Sequence, residues 1–318
     1  MKLVLLDTAA LASNDLSLDV FQQFGEVDCY DRTPPELVAE RIGTAEIAFT
    51  NKSLISNQVL DACPNLTYIG VFATGYNVIE DIHYAAQKGI TICNVPEYST
   101  AAVAQNAFAH ILSFYNKIDE HSQSVHQGDW QNCKDFSYYF PTFELLGKTL
   151  GIIGCGSIGR QMAAIATAFG MKVLAYTRTP KPELEQQGIH FVNLDNLLQQ
   201  SDIVSIHCPL TEQTEHLINR ERLSKMKPTA LLINTARGPI VEEQALTDAL
   251  NSGKIAGAGI DVVSQEPILA TNPLLTAKNC HITPHIAWAG YETRSRLLQI
   301  AVDNLTAFLN GSPQNQIN

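Results

Sequence analysis

Gly154-Cys155-Gly156-Ser157-Ile158-Gly159 follows an apolar run, Lys148-Thr149-Leu150-Gly151-Ile152-Ile153, and leads into a helical pattern from Arg160 to Phe169. Glycines at this spacing, between a strand and a helix, suit a dinucleotide. Gly154 makes a tight turn, Gly156 lets a pyrophosphate approach the backbone, and Gly159 lets the helix pack close to the strand. N–H groups at the helix start then face the phosphate charge. The alternative is a tight βα turn that holds no ligand. The next apolar run ends in Thr177-Arg178-Thr179. A NAD site of this kind carries a carboxylate about 20 residues past the glycines, on the ribose 2′-hydroxyl. No acid stands here, and Arg178 between two hydroxyls can hold a 2′-phosphate by charge-assisted hydrogen bonds. The expected cofactor is NADP in preference to NAD. The alternative is that Arg178 stacks on adenine and both cofactors bind.

Such groups need a scaffold of strand ends, and the chain supplies one. Apolar runs alternate with helical patterns. The expected strands are Lys2–Leu6, Val27–Tyr30, Ile47–Thr50, Tyr68–Phe72 and Thr91–Asn94, then Thr149–Ile153, Lys172–Tyr176, Ile203–His207, Ala230–Asn234, Gly257–Asp261 and His281–Thr283. Continuous apolar runs fit strands buried on both faces of a parallel sheet, and their alternation with helices fits an α/β fold. Thr33-Pro34-Pro35-Glu36 reads as a capped helix start. A long helix begins near Ser99, and Thr293–Leu309 forms a last amphipathic helix that could pack back on the first domain. The polar stretch Gly311–Asn318 reads as loose.

Composition agrees. The chain has 318 residues, 45% hydrophobic and 17% charged, and at roughly 150 residues per domain this indicates two globular domains. Acidic residues outnumber basic ones, 32 to 21, giving a formal charge of −11. Such a surface repels nucleic acid. No apolar stretch approaches the roughly 18 residues of a membrane span. Leu3–Leu6 is far shorter than a signal-peptide core of about 7–15. The seven cysteines are scattered with no CxxC pair, so no metal site is expected and a reducing, cytoplasmic setting fits.

Further motifs stand in a fixed order. Asn94-Val95-Pro96-Glu97-Tyr98-Ser99-Thr100, Val103-Ala104-Gln105 and Gly128-Asp129-Trp130 precede the glycine loop or lie near it. Asn234-Thr235-Ala236-Arg237-Gly238, Ser264-Gln265-Glu266-Pro267 and Thr283-Pro284-His285-Ile286-Ala287-Trp288 follow it. On these residues the chain resembles the D-isomer-specific 2-hydroxyacid dehydrogenases, and within them the glycerate dehydrogenase (hydroxypyruvate reductase) branch, over about residues 1–311. The resemblance implies two doubly wound parallel-sheet domains, with a Rossmann cofactor domain (99–287) inserted into a flavodoxin-like substrate domain (1–98 and 288–318). It also implies a homodimer built largely through the cofactor domain.

The activity implied is reduction of a short 2-keto acid, hydroxypyruvate or glyoxylate, by NAD(P)H. That chemistry needs a cation for the carboxylate and a proton donor for the ketone oxygen. Arg237 offers a permanently charged planar fork, and His285 can donate a proton near neutral pH. Glu266 beside it would orient the imidazole and stabilise the imidazolium. Ala73, Thr74 and Gly75 are implied to offer backbone N–H groups to the substrate carboxylate, and Asn51-Lys52 also fits the branch. Trp288 roofs the small-substrate pocket or anchors the returning helix. Carried over for the cofactor are Ser157 and Ile158 at the pyrophosphate and Cys208, Pro209 and Thr214 on the adenosine side. Thr235, Ala236 and Asp261 belong near the nicotinamide, with the Asp261 carboxylate accepting from the carboxamide. Formate dehydrogenases carry Gln where Glu266 stands. The other readings are a dehydrogenase for another D-2-hydroxy acid and a dinucleotide-sensing binding protein resembling the C-terminal-binding-protein corepressors, which keep the same three residues.

Overall fold

The computed structural model describes residues 1–9, 11–12, 15–179 and 181–318. The chain divides into two compact units, one of residues 1–99 and 288–318, the other of residues 100–287. In the first unit the strands are β1 (Lys2–Leu5), β2 (Glu26–Cys29), β3 (Ile47–Thr50), β4 (Tyr68–Val71) and β5 (Thr91–Cys93). They form one parallel sheet in the order β2-β1-β3-β4-β5. Alternate residues of β1 enter different cores. Leu3 and Leu5 join a cluster with Phe21, Phe49 and Phe72, while Val4 and Leu6 join one with Val38, Leu60 and Ile92. A strand whose successive side chains point to opposite faces must be apolar throughout when both faces are covered.

The second unit holds β6 (Thr149–Ile153), β7 (Lys172–Tyr176), β8 (Ile189–Phe191), β9 (Ile203–Ile206), β10 (Leu231–Asn234), β11 (Gly257–Ile260) and β12 (Cys280–Ile282). Their order, β12-β11-β10-β9-β6-β7-β8, is parallel and reverses direction between β6 and β9. Here too the core is double: Leu150 and Ile152 lie in one cluster and Ile153 in the other. The α/β fold with two doubly wound sheets is therefore as expected, and strand ends differ from the sequence reading by about one residue, within the usual uncertainty of such bounds.

Three local expectations fail. β8 was not expected. It is only three residues long, and the exposed His190 at its centre interrupts the apolar run. Thr33 does not cap a helix; its Oγ1 donates to the Leu6 carbonyl at 2.6 Å, and the helix opens through a 3₁₀ turn at Pro35–Leu37 with no side-chain cap. Residues 315–318 are not loose. Gln316 bridges antiparallel to Cys93, Ile317 N–H donates to Ile92 O at 2.9 Å, and the Ile317 side chain packs against the first unit's core.

The first unit also contains a buried acid. Asp7, just past β1, is 8% exposed and accepts from the N–H groups of Asn51, Lys52 and Ser53 at 2.9–3.1 Å and from Ser53 Oγ at 2.6 Å. Burial alone would raise its pKa, but the bonds from Ser53, Asn51 and Lys52 outweigh it and hold the carboxyl below the usual carboxylate value. A lowered pKa means the ionised form stabilises the fold above the ordinary carboxylate value, and that contribution is lost as pH falls below that value and through the lowered one. Asp7→Ala strands those donors and is expected to cost about 2–4 kcal/mol, read as a lower urea midpoint at neutral pH. An unchanged midpoint would show that the loop holds itself.

Candidate active site

Parallel strands deliver their following loops to one edge of the sheet, where ligands of α/β proteins bind. β10, β11 and β12 are adjacent, in register Asn234 to Ile260 to Ile282. Arg237 therefore lies three residues past β10, Asp261 and Glu266 past β11, and His285 three past β12.

His285 Nδ1 lies 2.5 Å from Glu266 Oε2, and both side chains are about one-third exposed. By accepting a hydrogen bond from Nδ1–H the carboxylate fixes the tautomer, which leaves Nε2 for other chemistry. The loop carrying the ring is itself tethered by Asp261, whose side chain is buried. Asp261 Oδ1 accepts from Thr283 Oγ1 at 2.6 Å and Ile286 N–H at 2.9 Å, and Oδ2 accepts from Ala287 N–H at 2.9 Å. Its main-chain carbonyl accepts the His285 N–H at 2.8 Å. A carboxylate has about four acceptor sites, so one site on Oδ2 is left for the expected carboxamide contact. Thr283 Oγ1, its hydroxyl hydrogen already directed to Asp261, accepts from His110 Nε2 at 3.2 Å. Burial lowers the His110 pKa, which keeps that ring neutral with its proton on Nε2.

Arg237 is exposed and extended. Its guanidinium donates only to the carbonyl of Ala236, at 2.7 Å, and has no acidic partner among the described residues. Asn234 shapes its turn, accepting from Ala236 N–H at 3.0 Å and donating to Arg237 O at 2.9 Å. Gly238 sets the next contact: a Cβ there would fall on the backbone of Val263 and Ser264. That approach puts the Arg237 loop against the loop leading to Glu266, so the structure does bring these three functional loops together. In the sequence Gly238 stands only as the last residue of the Asn234–Gly238 motif, with no local signal of this packing.

The dinucleotide loop lies where the strand order reverses. Gly154 has φ +96°, in the region that favours glycine, and a Cβ on it would come within 2.5 Å of Cys208 N. A Cβ on Gly159 would strike the Gly154 carbonyl, whereas one on Gly156 would meet nothing within 4 Å. The loop is thus packed tightly at both ends and open in the middle. Gly156 precedes the helix Ser157–Ala168, whose first-turn N–H groups lack intrahelical acceptors. Ile158 packs against the core of the second unit.

Past β9, His207 was not foreseen. Its Nε2 lies 2.8 Å from Ser205 Oγ, while Nδ1 is buried without a partner, and burial pushes its pKa down to about 3. Thr235 Oγ1, past the neighbouring strand β10, is likewise buried and unpartnered. Two orphaned polar atoms and an open glycine fit a polar dinucleotide. Burial raises the Cys208 thiol to about 11. Thr214 Oγ1 is spent within its own loop, donating to Pro209 O and accepting from Thr211 N–H, both at 2.7 Å. Thr177 is half-buried, and Arg178 is exposed with no hydrogen bond or ion pair among the described residues.

In the first unit, the Ala73–Gly75 loop follows β4. Asn51 Nδ2 donates to Phe72 O at 2.7 Å, Val95 N–H to Ala73 O at 3.0 Å, and Asn94 Nδ2 to Thr74 O at 2.7 Å. In a trans peptide the next N–H points opposite to each carbonyl. The N–H groups of Ala73, Thr74 and Gly75 accordingly find no acceptor among the described residues. Successive free N–H groups form an anion-binding concavity. Trp288 is half-buried against the cluster that holds Phe72 and Leu297, so anchoring is the role its packing displays.

A family model described as the D-isomer specific 2-hydroxyacid dehydrogenase NAD-binding domain matches residues 108–287. The chain is similar to a hydroxypyruvate reductase of Blautia hydrogenotrophica, 49% identical over 100% of both chains. It is also similar to a glycerate dehydrogenase of Methylorubrum extorquens, 41% identical over 99% of this chain and 98% of that one. Among solved structures, an acyclic imino acid reductase in complex with NADPH and D-Arg superposes with a TM-score of 0.85 at 30% identity, covering 100% of both chains.

Proposed function

The chain belongs to the D-isomer specific 2-hydroxyacid dehydrogenase family, and we propose that it reduces hydroxypyruvate, or the shorter glyoxylate, with NADPH taken in preference to NADH. Reduction of a 2-keto acid to a 2-hydroxy acid by a nicotinamide dinucleotide is the chemistry this membership brings. The observation that carries it is the His285–Glu266 pair on strand ends adjoining that of an unpaired Arg237 guanidinium.

Bound NAD(P)H supplies the hydride that adds to C2 of the keto acid. Arg237 holds the carboxylate and the neighbouring carbonyl oxygen in its planar fork. His285 donates the Nε2 proton to that oxygen as negative charge develops on it. Glu266 keeps the ring oriented and stabilises the imidazolium before transfer. Gly154, Gly156, Ser157, Ile158 and Gly159 hold the pyrophosphate, with Cys208, Pro209 and Thr214 towards the adenosine. Thr235, Ala236 and Asp261 serve the nicotinamide end, and His207 Nδ1 joins them as a polar contact. Residues 100–287 form the cofactor domain, and residues 1–99 with 288–318 the substrate domain. In the latter, Ala73–Gly75 take the substrate carboxylate, and Trp288, anchored in that unit's core, lines the pocket. His285→Ala is expected to lower kcat by about 10²–10⁴-fold, and a wild-type kcat in this variant would end the assignment.

The NADP preference is supported by Arg178, an exposed cation with no competing partner among the described residues. Arg178→Ala is expected to weaken NADPH by roughly 10–100-fold, the worth of a charge-assisted contact, and to leave NADH nearly unchanged. Initial rates with both cofactors test this. A wild-type enzyme that turns over NADH far better than NADPH overturns the preference.

A homodimer is supported by an exposed apolar run in the second unit. Phe136 is 94% exposed, Tyr139 78%, Leu146 70% and Phe143 60%. Apolar surface on this scale marks an interface, and the partner proposed is a second copy. Light scattering should give twice the 34.8 kDa chain mass, and Phe136→Asp should shift it towards one. A wild-type monomer would refute the dimer. No helix among the described residues is long and apolar enough to cross a membrane. The seven free cysteines support a reducing, cytoplasmic setting.

A further inference from the structure

We propose that Asn94 is a positioning residue for the substrate carboxylate, and that residues 315–318 with Asn304 are the strut that holds it. The inference rests on the reading of Ala73–Gly75 as the carboxylate-binding loop and names what keeps that loop in shape. Asn94 lies just past β5 and is 8% exposed. Its side-chain Nδ2 donates to Thr74 O at 2.7 Å, inside the loop. Thr74 Oγ1 returns a bond to Val95 O at 2.9 Å, and Val95 N–H reaches Ala73 O at 3.0 Å. These bonds turn the carbonyls of Ala73 and Thr74 inward, and so turn the N–H groups of Thr74 and Gly75 outward.

Asn94 is itself gripped on both main-chain groups. Its N–H donates to Asn315 O at 3.2 Å, and its carbonyl accepts from Asn304 Nδ2 at 2.9 Å. Asn304, on the helix Tyr291–Leu309 and 1% exposed, accepts on Oδ1 from Asn315 Nδ2 at 2.8 Å. Asn315 has φ +53°, a conformation that asparagine tolerates better than most residues. Residues 316–318 then close the free edge of β5. Ile92 N–H donates to Asn318 Oδ1 at 2.9 Å, and Asn318 Nδ2 to Ile90 O at 2.7 Å. An unbroken amide chain thus runs from an edge strand to the loop.

Every side chain of this strut is neutral. Amides can donate and accept at once, and they hold a carbonyl inward without putting negative charge near an anion. The strut should therefore act on substrate affinity and be indifferent to pH.

The test uses the full enzyme with NADPH and hydroxypyruvate. Asn94→Ala and, separately, deletion of residues 315–318 should raise KM for the keto acid by roughly 5–30-fold, the effect of a lost hydrogen bond or two. The expected kcat stays within about twofold, since uniform binding is what is lost. The dissociation constant of NADPH, from fluorescence titration, and the pH profile of kcat/KM should not move. Circular dichroism identifies any variant that fails to fold, and Asn315→Ala then serves as the milder break. A folded Asn94→Ala enzyme with wild-type KM, or a parallel loss of NADPH affinity, overturns the proposal. Thr74→Pro, which deletes one loop N–H, separates the two readings. If it raises KM while Asn94→Ala does not, only the strut is wrong. If it leaves KM unchanged, the loop reading and the proposal fall together.

Discussion

The buried carboxylate of Asp261 gathers three donors from the short loop that carries His285, while its main-chain carbonyl takes the N–H of His285 itself. Each side needs the other. A carboxylate 1% exposed is tolerated only when its oxygens are hydrogen-bonded. In return the loop can keep His285 at φ +55°, a backbone conformation that costs a non-glycine residue roughly 1–3 kcal/mol and persists only when its surroundings over-determine it. With the backbone fixed, Glu266 has only the ring left to orient. The two acids on the loop following β11 thus divide one task. One sets where the imidazole is, and the other sets which nitrogen holds the proton.

The same logic with different chemistry shapes the first unit. Asp7 collects the N–H groups of residues 51–53, and Asn51 then reaches across to the Phe72 carbonyl. Closer to the exposed N–H groups of residues 73–75 the supports are amides: Asn51, Asn94, Asn304 and Asn315. A loop proposed to accept an anion gains from neutral props, because like charges raise the cost of binding in proportion to their proximity. At His285 the prop is anionic instead, Glu266 Oε2 facing the ring's Nδ1.

Fold and chemistry were not equally readable in the chain. The strands were legible because burial on both faces leaves a continuous apolar run, as in Ile203–Ile206 or Leu231–Asn234. The glycine loop was legible because Gly154 and Gly159 answer steric constraints that only glycine meets. Arg237, Glu266 and His285 could be singled out by residue type and order, yet their convergence rests on the contact of Gly238 with Val263, which has no local signature. Asp261, His110 and Thr283 pair across 22 and 173 residues. Asn304 meets Asn94 across 210. Such partners are invisible to periodicity. Residues 315–318 misled for the same reason: a short polar segment reads as loose until the β5 edge that it covers is in view. Thr33 has the residue type of a cap, but a buried carbonyl at Leu6 offered its hydroxyl a better partner.

Charge makes the remaining distinction. The chain carries 32 acids against 21 basic residues, yet among the described residues only two arginines form an ion pair with an acid. Arg294 has Asp15 and Arg220 has Asp248. Arg237 and Arg178 have none among the described residues. Both stand past the ends of parallel strands, β10 and β7, where an α/β sheet receives its ligands. An unpaired guanidinium in an acidic protein keeps its full attraction for an incoming anion, while the surrounding negative surface discourages anions from settling elsewhere. The proposed selection of small carboxylate and phosphate groups would rest on where acids are absent as much as on where these arginines are placed.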